Sequence, residues 1–249
     1  LFAGYLTYKA NMYYKYLVKF PKFLRYIILK VIDIFPVSYK NYSISYLLKR
    51  LIEGSFYEKE KAHYWWRVIF NDDEKFSMLN LGNKDNIVLD SSYKYLEHFN
   101  AASGSFEEKA LVSDFKLFLG DNDLILADHL GMHFSLEIRP PFLHQEFVRF
   151  AMNVPYKSKI NKGQLKYLLK NSYKNVLPEN ILKRSKKGVV APLGLLFKGK
   201  LKNYLVDLFS ESNIRHYPIL NPQFINTLLV NHLSGKEDNG YKIWSIIIF

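Results

Sequence analysis

A mainly helical fold is predicted by three features of the sequence. Apolar residues recur at three- and four-residue spacing along most of the 249 residues. No run of four to eight residues alternates apolar and polar side chains convincingly enough to be a strand. The helical stretches are punctuated by prolines at 21, 140, 141 and 178, which end or open helices.

Taken in order, residues 5–34 are predicted helical with a break at Pro21, and shorter helices follow over 42–52 and 57–70. Residues 71–86, NDDEKFSMLNLGNKDN, are polar and rich in turn formers, which predicts a loop with at most one helical turn. Four helices are then expected over 106–118, 122–134, 143–152 and 163–173, with Ser113 and Asp114 inside the first and not breaking its apolar spacing. Pro178 opens a short helix that runs into a basic loop ending at Pro192. Further helices are expected over 201–210 and 222–233, and Asn239 begins the last one. No internal repeat is apparent.

Composition narrows the function classes. An apolar fraction of 49% with 16% aromatics describes a folded chain rather than a disordered one. There is no cysteine, which rules out disulfides, thiolate-bound zinc and a cysteine nucleophile on this chain, and fits a reducing cytoplasm. The charge balance of 35 basic to 23 acidic residues gives +12. Because the lysines are spread rather than striped, a dedicated nucleic-acid surface is not expected, while small anions such as ATP suit the charge. A basic helical module binding polyanions is the rival reading from another class. Residues 16–37 are the most apolar early stretch, yet they carry Lys19, Lys22, Arg25, Lys30 and two prolines, so they do not form a membrane span. An amphipathic helix packed on the protein is preferred there to one lying on a membrane surface. With Leu at position 1 and an apolar run at the end, the chain is expected to be a fragment.

Two stretches concentrate chemistry. In DHLGMHFSLEIRPPFLH, residues 128–144, His129, His133 and Glu137 are spaced by four, as a metal-binding stripe would be if the helix ran that far. The HExxH pattern is absent and Ser135 marks the helix exit, so no metal site is expected. Glu137 and Arg139, set among Leu136, Ile138, Pro140, Pro141 and Phe142, read as an ion pair fixing a bend, since buried charges need partners. The second stretch is KRSKKGVVAPLG, residues 183–194, in which Gly188 allows close backbone approach and lysines supply mobile positive charge for phosphate.

Taken in order and at their spacing, LADHLGMHFSLEIRPPFLH, KGQLKYLLK and VLPENILKRSKKGVVAPLG, with the opening LFAGY, resemble the C-terminal synthetase domain of glutamine-dependent asparagine synthetases. The corresponding family segments read like DRMSMAHSLEVRVPFLD, GGxxKYLLR, LPxEVLxRRKQGFGVPLG and LFGGY. The resemblance spans nearly the whole chain. It implies the helical C-terminal part of an α/β synthetase domain of the PP-loop ATP pyrophosphatase type, related to adenine-nucleotide alpha hydrolases. The phosphate-binding S-G-G-x-D-S loop, the acidic loop that holds magnesium, and a glutaminase domain would all lie upstream of Leu1. Residues 1–249 alone are then expected to be inactive.

The resemblance also implies a reaction. ATP and Mg2+ adenylate the side-chain carboxylate of aspartate, and ammonia from glutamine displaces AMP. Lys186 matches the family's catalytic lysine, and Asp123 falls where the family has an active-site acid. Asp128, Ser135, Glu137 and Arg139 match the D…S-x-E-x-R signature, with Met132 beside it, as parts of a cleft wall. Lys166 matches the lysine of KYLLR, and Lys187 and Gly188 continue the basic loop. Several positions depart from the pattern: His133, Phe134, His144, Lys187, Val189 and Val190. They open the alternative of a paralogue that amidates another carboxylate, in polysaccharide or natural-product synthesis or in β-lactam closure. A homodimer is the candidate oligomer.

Overall fold

The computed structural model describes residues 1–39, 43–81, 90–184, 188 and 191–249. Two of the residues singled out above, Lys186 and Lys187, lie outside them, as do Val189 and Val190.

The described chain is mostly helical, and two isolated antiparallel bridges, Leu79 to Leu220 and Asn161 to Gln164, are its only β pairing. Helices α1 (Leu6–Leu17) and α2 (Lys22–Ile34) part at Pro21, whose extended backbone caps α2. Next come α3 (Ile44–Gly54) and α4 (Lys59–Trp65). The predicted loop after Phe70 is instead a two-turn helix, α5 (Asp72–Met78). Its cause is local: Asn71 and Glu74 form a reciprocal capping box, and Asp72 and Asp73 add charge at the positive end of the helix. Helix α6 (Tyr93–Ala101), which was not anticipated, buries Tyr95 and Phe99 at i,i+4 spacing.

Helix α7 (Phe106–Asp114) opens on a second capping box, Ser105 with Glu108. The two helices expected over 106–134 prove to be a single helical run. A π-helical segment (Phe115–Leu124) carries α7 directly into α8 (Ile125–His133). Gly120, Asp121 and Asn122 therefore widen the helix rather than interrupt it. Then follow α9 (Gln145–Asn153), α10 (Tyr156–Lys159) and α11 (Tyr167–Ser172). The last begins four residues later than predicted, because Lys166 is left-handed at φ 55° and the chain turns through residues 161–164. After α12 (Glu179–Lys183), the chain adds α13 (Leu193–Lys198), α14 (Lys202–Leu208) and the one-turn α15 (Glu211–Ile214). Helix α16 (Pro222–Ser234) is capped by the Asn221 side chain and ends at Gly235, φ 84°. Helix α17 (Gly240–Ile248) closes the chain.

The helices gather into two compact units. The first comprises Leu1–Phe20, Gly54–Trp66 and Ser92–Lys187. Its interior has an aromatic cluster around Tyr95, Phe99 and Ala110 and a second cluster of Ala3, Tyr8, Leu111 and Ile160. A polar network runs among these residues. The Tyr8 hydroxyl donates to Oδ2 of Asp114, which also lies 3.2 Å from Nε2 of His63. Nδ2 of Asn11 donates to Nδ1 of His63 at 2.8 Å, leaving Nε2–H to face Asp114. All four side chains are buried, and the Tyr95 ring stacks on His63. One carboxylate thereby joins α1, α4 and α7.

The second unit comprises Pro21–Glu53, Arg67–Ser91 and Gly188–Phe249. Its core is mainly aliphatic with some phenylalanine, and includes Phe197, Leu205, Ile225, Leu228 and Ile243 from α13, α14, α16 and α17. His232 is its buried polar pivot: Nδ1 accepts from the Asn239 backbone N–H at 3.1 Å, and Nε2 lies 3.2 Å from the Gly194 carbonyl. Burial lowers its pKa from 6.5, against smaller raising effects from Asp238 and the Gly194 carbonyl. Lys242 of α17 pairs with Glu74 of α5.

Two outcomes follow. Asp114→Ala leaves His63 and Tyr8 buried without their acceptor and should cost about 3 kcal/mol in urea unfolding. For His232, the folded pKa lies below the unfolded one, so its stabilising contribution is complete above pH 6.5 and is lost as pH falls through the folded value. Stability measured from pH 7 to pH 4 should lose a component of its acid slope in His232→Gln.

Candidate functional site

The segment Phe2–Ala3–Gly4–Tyr5 touches two of the sequence-predicted site residues, Asp123 and Lys166. The Phe2 ring packs edge-on against Phe142, centroids 6.0 Å apart, and lies 5.9 Å from Phe147. Ala3 is buried and left-handed, φ 47°, at the position where the resembled segment has glycine. Gly4 lies under the aliphatic stem of Lys166, so close that a Cβ there would fall 2.5 Å from Lys166 Cε. The Tyr5 hydroxyl donates to Oδ2 of Asp123 at 3.4 Å, and Asn122 Nδ2 donates to the other oxygen at 2.9 Å. Phe2, Gly4 and Tyr5 thus touch, in turn, the aromatic residues after the double proline, Lys166 and Asp123.

The bend after α8 is built by backbone. Phe134 N and Leu136 N both donate to the Gly131 carbonyl, and Ser135, φ 57°, donates to the Met132 carbonyl. The chain folds back so tightly over Gly131 that a Cβ there would lie 2.7 Å from the Leu136 carbonyl oxygen. Glu137 and Arg139 are paired as expected, at 2.7 Å, but their side chains are 64% and 84% exposed. An exposed pair of this kind contributes little, so it does not hold the bend. The expectation of buried charge fails because the apolar neighbours Leu136, Ile138 and Phe142 are themselves exposed.

Beside the bend is an open groove of about 400 Å³, lined by Leu124, Ile125, Ala127, Asp128, Ile138, Pro140 and Leu143. Asp128 is its one ionisable lining residue, and the double-proline turn forms one side. Met132, Ser135, Glu137 and Arg139 are exposed and lie outside that lining. Helix α8 ends at His133, so Glu137 leaves the stripe that His129 and His133 begin. Among the described residues, no three His, Asp or Glu side chains gather as metal ligands.

In the basic stretch, Lys183 pairs with Glu179 one helical turn earlier, at 2.7 Å, and the Arg184 carbonyl accepts from Lys170 Nζ at 3.0 Å. Gly188 is exposed. The contacts that sequence reasoning missed are those of Phe2, Tyr5 and Asp114. Asp114 carried a signal, since it shares the buried face of α7 with Ala110, Leu111 and Ser113.

The two close-approach glycines should behave differently. Gly131→Ala adds a helix-favouring residue but collides with backbone that cannot swing aside, so a net loss of about 2 kcal/mol is expected in urea unfolding. Gly4→Ala meets only the flexible Lys166 stem and should cost about 1 kcal/mol or less. A stabilised Gly131→Ala variant would refute the tight bend.

The family pattern described as asparagine synthase matches residues 1–249. The chain is 26% identical over 249 residues to asparagine synthetase [glutamine-hydrolyzing] 1 of Bacillus subtilis, covering 100% of this chain and 38% of that protein. It is 28% identical over 148 residues to the asparagine synthetase [glutamine-hydrolyzing] of Gallus gallus, 55% of this chain and 26% of that one. No solved structure matches. The chain therefore spans well under half the length of these relatives, and with its entire length matched by the family pattern, it belongs to the asparagine synthase family.

Proposed function

We propose that this chain supplies the helical part of a synthetase domain in an ATP-dependent, amide-forming ligase of the asparagine synthetase type. The observation that carries the reading is the meeting at Phe2–Tyr5: Asp123, Lys166 and the residues after the double proline all contact this short segment. Lys166 and Phe142 come from two separate motifs, and the segment that touches them from a third. Their convergence is what a shared site requires and is not needed for helix packing alone.

In the proposed reaction a carboxylate oxygen of aspartate attacks the α-phosphorus of ATP and pyrophosphate leaves. Ammonia, released from glutamine in another domain of the whole protein, then attacks the acyl carbon and AMP leaves. The task for this chain is to neutralise phosphate charge and to orient the reactants while excluding water. Lys186 is assigned the phosphate contact, with Lys187 and Gly188 shaping the loop around it. Asp123, held by Tyr5 and Asn122, offers a fixed negative charge beside the groove. Asp128 lines the groove, Met132, Ser135, Glu137 and Arg139 are assigned to the exposed bend beside it, and Lys166 acts through its packing on Gly4. Among the described residues no set of acids gathers that would hold a magnesium ion. The apolar surface around the groove, including Ile125, Leu130, Phe134 and Leu136, suits burial against the nucleotide-binding strands of the rest of the domain.

A second reading keeps the chemistry and changes the acceptor. His133, Phe134, His144 and the Val189–Val190 pair differ from the family pattern at the bend and in the basic loop, where an acceptor would be selected. The whole protein would then amidate a different carboxylate.

In the full-length protein, Lys186→Ala should lower aspartate-dependent pyrophosphate release at least about a hundredfold while leaving glutaminase activity intact. Pyrophosphate release that survives this change sinks the role given to Lys186. Release that depends on another carboxylate and not on aspartate selects the second reading.

A further inference from the structure

Two tyrosines one turn apart at the start of α1 reach two acids on the helical run from α7 to α8. Tyr8 donates to Asp114, and Tyr5 donates to Asp123 at 3.4 Å. Asp123 lies nine residues beyond Asp114. An α-helix, with about 3.6 residues per turn, covers that span in about two and a half turns and would set the two carboxylates on opposite sides. The π-helical segment Phe115–Leu124 closes its hydrogen bonds one residue further along and takes about 4.4 residues per turn, so the same span makes about two full turns. Asp123 therefore returns to the side of Asp114, where α1 meets both.

Asp121 shows the reverse. It lies seven residues beyond Asp114, about two turns of α-helix, and would share that side in an α-helical run. In the π segment the same seven residues make about one and a half turns and carry it to the far side. Asp121 is exposed there, and its carboxylate meets no donor among the described residues. The wide register is held by packing, since Leu117 and Phe118 lie against the cluster of Tyr95, Phe99 and Ala110, with the Phe118 ring 6.4 Å from Tyr64.

We propose that the π register selects Asp123 rather than Asp121 as the acid of the site, and that Tyr5 is the positioning residue that fixes its carboxylate. The inference rests on the site role given to Asp123 above. An α-helical run of the same sequence would turn Asp123 away from Tyr5 and bring Asp121 round in its place.

The test is aspartate-dependent pyrophosphate release by the full-length protein. Asp123→Asn should lower kcat about a hundredfold, and Asp121→Asn should leave it within about twofold of the parent. Tyr5→Phe removes only the hydroxyl and should lower kcat about fivefold, with KM for ATP and aspartate within about twofold. Added to Asp123→Asn, the same Tyr5→Phe change should have no further effect, because the group it acts through is already gone. Helix content and urea unfolding of Tyr5→Phe should match the parent. Three results overturn the proposal: a loss in Asp121→Asn equal to that in Asp123→Asn, a Tyr5→Phe variant as active as the parent while Asp123→Asn is impaired, or a Tyr5→Phe loss that is undiminished in the Asp123→Asn background. Full activity in Asp123→Asn is a separate outcome, which removes the site role of Asp123 and this inference with it.

Discussion

The carboxylate of Asp114 is the constraint around which the first unit is arranged. It is buried on α7, and a buried charge must be met by donors. Tyr8 from α1 and His63 from α4 meet it, and Asn11 fixes which His63 nitrogen carries the proton. Hydrogen bonds demand direction as well as proximity, so the network sets the rotation of α1 about its axis in a way that hydrophobic contact would not. Tyr8 is three residues from Tyr5. Phe2, Gly4 and Tyr5, in the segment that leads into α1, touch Phe142, Lys166 and Asp123.

Backbone strain marks the same places. Ala3, Ser135 and Lys166 are left-handed without being glycine, a conformation that costs on the order of 1 kcal/mol or more for each residue. All three fall within the segments on which the family resemblance rests. At Ser135 the strain turns the chain back over Gly131, and at Lys166 it delays α11 so that the lysine stem lies across Gly4. The surroundings hold each in place: Ala3 by burial, Ser135 by the hydrogen bonds of the bend.

The two units use polar burial in different ways. In the first, a charged group is shared among three helices. In the second, a neutral His232 serves two backbone partners, the Asn239 N–H and the Gly194 carbonyl, and its low pKa follows from a dry setting. Outside that core α2 is held on one side only.

Much of the helical framework was determined by the sequence itself. The break at Pro21 and the start of α16 at Asn221–Pro222 follow from proline and local capping chemistry, which act within one turn, and the last helix starts at Asn239 as the sequence suggests, without a side-chain cap. Local chemistry also fixed α5, although its polar composition resembles a loop, because the Asn71–Glu74 capping box outweighs that composition. The order of the four motifs was equally a property of sequence and sufficed to identify the family. Tertiary structure decided the rest. Whether residues 106–133 form one run or two depends on accommodating Gly120 in a wide turn, and whether Glu137 and Arg139 are buried depends on what covers their neighbours. That Asp114 outranks the histidines of residues 129–144 as a structural centre could be settled only by packing. A carboxylate's weight depends on the donors folded against it, and those lie 51 and 106 residues away in the chain.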